Sequence, residues 1–251
     1  PRGPFNRYNT LMPQLEAAPK TFETQRLVSG LQRSAWGYFK KFAIADRAAI
    51  VVSAAFADPA SFDRSQLIFA TVMYSFQLYA DFSGYTDIVL GMGEILGLHL
   101  PENVRQPFFS ASVKELWARW HISLSQWFRD YVYIPLGGNR KGLKRQIFNL
   151  FVVELLTGIW HGANWNFICW GLYYFVLLAL EKLFLLPYLK KGRVWPHIYT
   201  LFLVVVGWAM FVGNDAGVEF GLLFRKLFIP SGGVMPLYFL RNYGVLLIVS
   251  V

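Results

Sequence analysis

Gln146-Ile-Phe-Asn-Leu-Phe-Val-Val-Glu-Leu-Leu-Thr-Gly-Ile-Trp160 is an apolar run that breaks at His161-Gly-Ala-Asn164 and resumes over residues 165–187. Two basic clusters bracket it, Arg140, Lys141, Lys144 and Arg145 before, Lys190, Lys191 and Arg193 after. This is the pattern of an out-and-back pair of membrane spans whose basic loops both face the cytoplasm. The first arm has about 15 residues, roughly 22 Å of helix, against a hydrocarbon core of about 30 Å. An arm that short predicts that His161 stops inside the membrane, at the floor of a cavity open to the far side. The second arm is longer and must tilt or unwind to match. An ionisable group at such depth is costly and is usually functional.

The rest of the chain agrees with lipid as the solvent. Its hydrophobic share is 55%, its charged share 16% and its mean hydropathy +0.37, beyond the ordinary soluble balance of roughly 25% charged residues. Aromatics at 18% suit wide membrane interfaces. The net charge of +9 sits in short clusters between apolar runs rather than in a polar domain or arm, so nucleic acid is not the partner it fits. A single cysteine, Cys169, excludes an internal disulfide and reads as a small packing residue in an apolar run. The chain begins at Pro1 without methionine and stops at Val251 within an apolar run, so the expectation is one domain over 1–251 that is incomplete at both ends.

Outward from the hairpin, residues 1–30 are polar and contain proline, as a surface segment would, and 36–56 form an amphipathic stretch suited to the headgroup level. Residues 65–79 are apolar, Asp81-Phe-Ser-Gly-Tyr-Thr-Asp87 reads as a polar break, and 88–98 resume. Gly93 and Gly97 have the spacing of a close helix contact. Ser112-Val-Lys-Glu115 predicts a capping box opening one helix that runs to about Tyr131. On such a helix Leu116, Trp120, Leu124, Trp127 and Tyr131 form an apolar stripe, Arg119, Ser123, Gln126 and Asp130 a polar one, and His121 shares a face with Trp117 and Phe128. A turn comes next at 137–142, further spans are expected at 198–212 and 234–251, and a weaker amphipathic stretch at 217–228. Glu154 puts a charge inside an apolar arm. His161 itself has two readings, a cap on the carbonyls of a helix C-terminus or a functional group in a recessed polar break beside Asn164 and Trp165.

Four stretches resemble the membrane-bound O-acyltransferase superfamily: Tyr79-Ala-Asp-Phe-Ser-Gly-Tyr-Thr-Asp87, Arg119-Trp-His-Ile-Ser-Leu-Ser-Gln-Trp-Phe-Arg-Asp-Tyr131, Ile134-Pro-Leu-Gly-Gly-Asn-Arg-Lys-Gly142 and Gly158-Ile-Trp-His-Gly-Ala-Asn-Trp165. Within it, the chain looks most like the bacterial branch that acetylates alginate and related cell-surface polysaccharides, and less like the teichoic-acid D-alanylation branch. Gly3-Pro-Phe-Asn-Arg-Tyr8 also resembles that first branch, so the likeness runs nearly end to end. Phe211-Val-Gly-Asn214 departs from it, since an arginine is expected there. The resemblance implies an all-α, polytopic integral membrane protein of the cell inner membrane, a ring of tilted helices around a central funnel. It implies His161 as catalytic base and His121 as the second active-site histidine. The same motifs, with Trp117 just before the second, supply the supporting residues: Asp81, Ser83, Tyr85, Asp87, Trp117, Arg119, Trp120, Ser123, Trp127, Arg129, Asp130, Asn139, Arg140, Lys141, Trp160, Asn164 and Trp165.

Acyl transfer from a thioester to a hydroxyl needs a base for the hydroxyl proton and a donor for the developing oxyanion. An imidazole with a pKa near 6.5 suits the first role, and His121 or Asn164 the second. No Gly-x-Ser-x-Gly elbow, metal-ligand spacing or phosphate loop is present, and Gly91-Met-Gly93 lacks the strand context of a dinucleotide site. Asp81, Asp87 and Glu94 read either as a cation site or as a structural network with Arg105 or Arg119. The expectation is thus no bound cofactor or metal, and acetyl-CoA or another acyl thioester as donor. The expected partners are membrane lipid, a hydroxyl-bearing polysaccharide and a periplasmic or extracellular acyl-relay protein. The rival reading is a proton-coupled transporter using the same buried His, Asp and Glu residues, which predicts two related halves that the sequence lacks. A non-catalytic scaffold, in which His161 is replaceable, is the third.

Overall fold

The computed structural model describes residues 4–17, 23–162, 164–215, 225–227 and 245. Among them all regular elements are helical, and a single β-type pairing joins Val104 to Trp120. The expected stretches at 217–228 and 234–251 lie outside the described residues apart from 225–227 and 245, and so do the side chains of Gly213 and Asn214, where an arginine is expected.

The polar opening of the chain already holds a short helix, α1 (Tyr8–Glu16). The amphipathic stretch belongs to α2 (Thr24–Phe39), a π-helical turn at Lys40–Ala45 and α3 (Asp46–Ala57). Next comes α4 (Arg64–Ile95), 32 residues opened by a reciprocal Asp63–Gln66 capping box. It runs through Asp81–Asp87 without interruption, so the expected polar break is not there. The motif's glycine serves helix contact instead. A Cβ on Gly84 would lie 2.7 Å from the Gly37 carbonyl oxygen, one on Gly37 would lie 2.5 Å from that of Gly84, and Gly30 and Gly91 oppose each other in the same way two turns along. These reciprocal pairs seat α2 antiparallel on α4 at backbone contact. Gly93 and Gly97, whose spacing suggests a helix contact, do other work. Gly93 faces Leu98 and Leu100 just beyond the helix end, and Gly97 takes the left-handed conformation that terminates it.

The helix expected from Ser112 to Tyr131 is two helices, α5 (Val113–Arg119) and α6 (Ile122–Phe128), then a π-helical turn at Arg129–Tyr133. The start agrees with the sequence: Ser112 Oγ accepts from Glu115 N at 3.1 Å, although the Glu115 carboxylate reaches back to Ala111 N rather than to Ser112. The break falls at Trp120–His121, where His121 is left-handed at φ 45° and ψ 52°. A non-glycine residue there costs roughly 1–2 kcal/mol. The extended residues 103–105 hold it in place, because Arg105 N donates to Arg119 O and Ile122 N to Asn103 O, while the Asn103 side chain accepts from Ser123 N. Trp120, His121 and Trp127 therefore do not share the faces that one continuous helix would have given them.

The hairpin is α7 (Gly142–His161), α8 (Trp165–Leu180), a π-helical turn at Glu181–Leu185 and α9 (Leu186–Leu189), and α10 (Trp195–Asp215) lies beyond the second basic turn. Close packing of α7 on α8 depends on Gly158, whose added Cβ would meet Phe167 O at 2.5 Å, and on Gly171 against the Glu154 carbonyl. Residues 142–145, expected in a loop, are the first turn of α7, so the helix has 20 residues, about 30 Å; with Lys144 and Arg145 in that turn it is not among the described helices apolar enough to cross a membrane. The continuous helices Trp165–Leu189 and Trp195–Val212 are long and apolar enough to cross a membrane. They carry exposed Phe184, Ile198 and Phe202 outside and pack Trp170, Tyr174, Val204 and Trp208 into the core shared with α3, α4 and α5.

Candidate functional site

His161 is the last residue of α7, and the turn after it holds the ring inward. A Cβ on Gly162 would fall 2.8 Å from the Phe167 ring, so glycine lets the turn lie on that ring. Asn164 then starts α8 by accepting from Asn166 N at 3.2 Å. The His161 ring meets Trp160 at 4.8 Å, Trp170 at 5.0 Å, Phe211 at 5.2 Å and Phe167 at 6.0 Å between centroids. Aromatic rings from α7, α8 and α10 thus enclose one imidazole. These rings give the imidazole low-polarity neighbours.

His121 arrives from the break between α5 and α6 and is 5% exposed. Phe5 stacks on its ring at 5.8 Å and 6°, Phe82 of α4 lies at 4.9 Å on tilted geometry, and Trp160 presents an edge at 6.0 Å. Trp160 therefore stands between the two histidines. His121 Nδ1 is buried and has no hydrogen-bond partner among the described residues. A buried polar atom without a partner is uncommon and calls for a reason, of which a site for substrate is one.

The other motif residues divide among several places. Trp120 supports His121 from behind, packed on Phe82 and Trp208. Asp81 pairs with Lys41 at 2.6 Å, and Asp87 with Lys40 at 2.6 Å and Arg33 at 3.2 Å. This is the structural network, but its partners are α2 and the π-helical turn after it rather than Arg105 or Arg119. Asp46 and Asp81 together raise the Lys41 ammonium above its ordinary value. Glu94 accepts from Ser29, while Arg119 pairs with Glu115. Ser83 is buried in α4 and Tyr85 is exposed; the Ser123 hydroxyl donates to Asn103. Trp127, beside Tyr131, and Trp165 are exposed. Asn164 is an exposed cap, and Arg140 and Lys141 are exposed in the turn. Among the described residues no cluster of His, Cys, Asp or Glu is arranged to hold a metal.

A cavity of about 340 Å³ opens between α5, α6, α7 and α8. Trp117, Arg129 and Asn139 line it, together with Lys114, Glu154, Thr157, Glu181 and Lys182, to which the motifs give no role. Glu181 accepts from Val113 N and Lys114 N and so caps α5. Thr157 stands four residues before His161, about one helical turn, and Glu154 seven before, about two. The histidine enclosure also has members that sequence reasoning leaves out, namely Phe5, Phe82, Phe167, Trp170 and Phe211. For α8 a signal exists, since Phe167, Trp170 and Tyr174 recur at helical spacing along one buried face.

The helical chain, with two apolar spans, thus brings two histidines, His121 buried and His161 partly buried, to one tryptophan. Residues 2–216 match the sequence profile of the membrane-bound O-acyltransferase family, and the chain belongs to that family. It is 42% identical over 221 residues to the probable alginate O-acetylase AlgI of Pseudomonas putida, an alignment covering 86% of this chain and 44% of that protein. The peptidoglycan O-acetyltransferase of Helicobacter pylori is 38% identical over 181 residues, 72% of this chain and 34% of its own length. The teichoic acid D-alanyltransferase of Bacillus subtilis is 39% identical over 118 residues, 44% of this chain and 30% of its own. The chain spans less than half the length of these relatives, and the resemblance read from its motifs is borne out.

Proposed function

We propose that this chain carries the reaction centre of an O-acyltransferase that moves a short acyl group, acetyl in the first instance, from a thioester to a hydroxyl. The observation that carries the reading is the meeting of His121 and His161 on either side of Trp160, at the end of a membrane hairpin. His161 takes the proton of the acceptor hydroxyl as its oxygen attacks the thioester carbonyl. The tetrahedral oxyanion faces His121, whose ring N–H donates to it. Collapse breaks the C–S bond, and the imidazolium of His161 returns the proton to the departing thiolate. No net proton is released into or taken from the site.

The cavity along α7 is the donor's approach. Lys114, Arg129 and Lys182 at its walls suit a phosphorylated carrier such as acetyl-CoA, and Val153 and Thr157 in its lining belong to α7, the helix that ends at His161. The basic clusters at 140–145 and 190–193 support an entrance at the cytoplasmic face of a multi-pass inner-membrane protein. The acceptor class is a hydroxyl-bearing cell-surface polymer, since the relatives are named for alginate, peptidoglycan and teichoic acid. It is reached on the far side directly or through an acyl-relay protein. A proton-coupled transporter finds less support, because Asp81 and Asp87, which would serve its relay, are tied to Lys41, Lys40 and Arg33.

The test is CoA release by the purified full-length protein supplied with acetyl-CoA. Release should accelerate when polysaccharide acceptor or relay partner is added, need no proton gradient, and disappear in His161→Ala while that variant still accumulates in membranes. Turnover surviving in His161→Ala would overturn the base assignment, and gradient-driven solute uptake would overturn the enzyme.

A further inference from the structure

The opening segment of the chain takes part in the site. Residues 4–7 are outside any helix, and Arg7 is extended at φ −88° and ψ 139°. In extended backbone residues two apart point the same way, so Phe5 and Arg7 face the protein together. Phe5 lies flat on the His121 imidazole and edge-on to Trp160 at 6.3 Å. Arg7 Nη2 donates to Asp130 Oδ2 at 2.8 Å, and its guanidinium lies 4.7 Å above the centre of the Tyr131 ring. Asp130 also accepts from Arg129 at 2.9 Å, so it holds two guanidinium groups. Behind this contact, α1 is anchored independently, for Gln14 exchanges hydrogen bonds with the backbone of His99 in both directions. The chain is thus held at Arg7 and again at Gln14, with Phe5 two residues before the first of these anchors.

We infer that residues 4–7 are a strap over the reaction centre, in which Phe5 sets the plane of the His121 ring and Arg7, locked to Asp130 and Tyr131, holds Phe5 there. This rests on the proposal that His121 belongs to the reaction centre. The ring of His121 is confined between Phe5 and Phe82, and neither contact is a hydrogen bond. The Phe82 side is part of a long helix, whereas the Phe5 side depends on the Arg7 anchor. Without it the imidazole regains rotation about its side-chain bonds, and water gains access to a buried nitrogen. Both Phe5 and Arg7 are positioning residues, since they act through His121.

Two readouts on the full-length protein test this. The first does not need turnover: carbethoxylation of His121 by diethyl pyrocarbonate, with mass spectrometry of its peptide. His121 should be protected in the parent protein and react several-fold faster in Phe5→Ala, Arg7→Ala and Asp130→Asn. The second is a double-mutant cycle in kcat. Phe5→Ala and Arg7→Ala should each lower kcat by roughly tenfold or more, as a misplaced reacting group does, with KM for the acyl donor unchanged. The double variant should be no worse than Phe5→Ala alone, because Arg7 acts through Phe5. Phe5→Tyr and Arg7→Lys, which retain a ring and a charge, should recover part of the loss and serve where the alanine variants fail to accumulate. Equal His121 reactivity in parent and variants, or losses in kcat that multiply, would overturn the strap. Protection of His121 in a protein that transfers no acyl group would leave the strap standing and overturn the proposed function instead.

Discussion

Replacing Gly91 by alanine should separate α2 from α4, and the size of the effect can be worked from the glycine contacts. The new Cβ would fall against the Gly30 carbonyl and the Ser34 hydroxyl, with Ser34 N at 2.9 Å; the carbonyl and the amide are backbone of a facing helix and cannot rotate away. At Gly84 the nearest atom would be Gly37 O at 2.7 Å, where ordinary contact begins at 3.4 Å, so the axes must part by about 0.7 Å. Overpacking of this kind costs about 1–3 kcal/mol. Removing a helical glycine returns up to about 1 kcal/mol in helix propensity, which complicates any single variant. Gly93 supplies the control. It lies on the same helix, but its added Cβ would meet first the Leu100 methyl at 2.7 Å, the mobile end of a side chain. The propensity gain largely cancels between Gly91→Ala and Gly93→Ala, and their difference isolates the steric term. A difference of about 2 kcal/mol corresponds to roughly 4–8 °C in melting temperature for a chain of this size. Both variants should be melted in the same detergent, monitored by intrinsic tryptophan fluorescence and by loss of the monodisperse peak. Equal melting temperatures would refute backbone contact between α2 and α4. Because Phe82 lies on α4 two residues before Gly84 and touches His121, Gly84→Ala should lower turnover as well as stability.

Asp87→Asn removes the partner of Lys40 in a mostly buried network, while Arg33 keeps Glu102. It should cost about 3 kcal/mol or more, seen as a lower melting temperature, whereas Asp81→Asn should cost about 1 kcal/mol or less, since Lys41 is half-exposed and keeps Asp46. His121→Ala should reduce CoA release by at least a hundredfold, the scale of a lost oxyanion donor, and His121→Gln should recover part of it; full activity of His121→Ala in the same assay would reduce this residue to packing. In a Cys169→Ser background, cysteines at Arg140 and Lys191 should resist an impermeant thiol reagent in intact cells and react in inverted vesicles. Labelling from outside at either would overturn the cytoplasmic placement of the basic turns. Arg140 and Lys191 are exposed, and they are preferable to Gly142, which is left-handed, and to Gly192, where a side chain would strike Trp195.

The features legible in the sequence are those set by local chemistry. The Ser112 cap, the glycine turn at 137–142 and the apolar arms around His161 need only neighbours within a few residues, and all three are present. Asp81–Asp87 reads as a break because aspartate and glycine interrupt helices when alone. Here Lys40, Lys41 and Arg33 neutralise the carboxylates and Gly37 receives Gly84, and those partners lie about 40 to 55 residues earlier in the chain. The converse holds at His121. Trp120-His121 carries no helix breaker, and the break exists because Asn103 and Arg105 take up the backbone hydrogen bonds that a continuous helix would have used.

The break at His121 bears on the chemistry. A histidine at the middle of a regular helix would project from one face with its neighbours at fixed spacing, and Trp117 and Phe128 would flank it. The left-handed turn instead swings His121 out of register and between Phe5 and Phe82, opposite Trp160. Roughly 1–2 kcal/mol of backbone strain is retained at this one residue. It is balanced by hydrogen bonds from residues 103–105, which lie outside any helix and pack Val104 on the core. The two histidines are 40 positions apart in the chain and come from a strained break and a helix end, neither of which is a regular structural position. Each is packed among aromatic rings, and His121 Nδ1 has no hydrogen-bond partner among the described residues. Periodicity cannot report such a site.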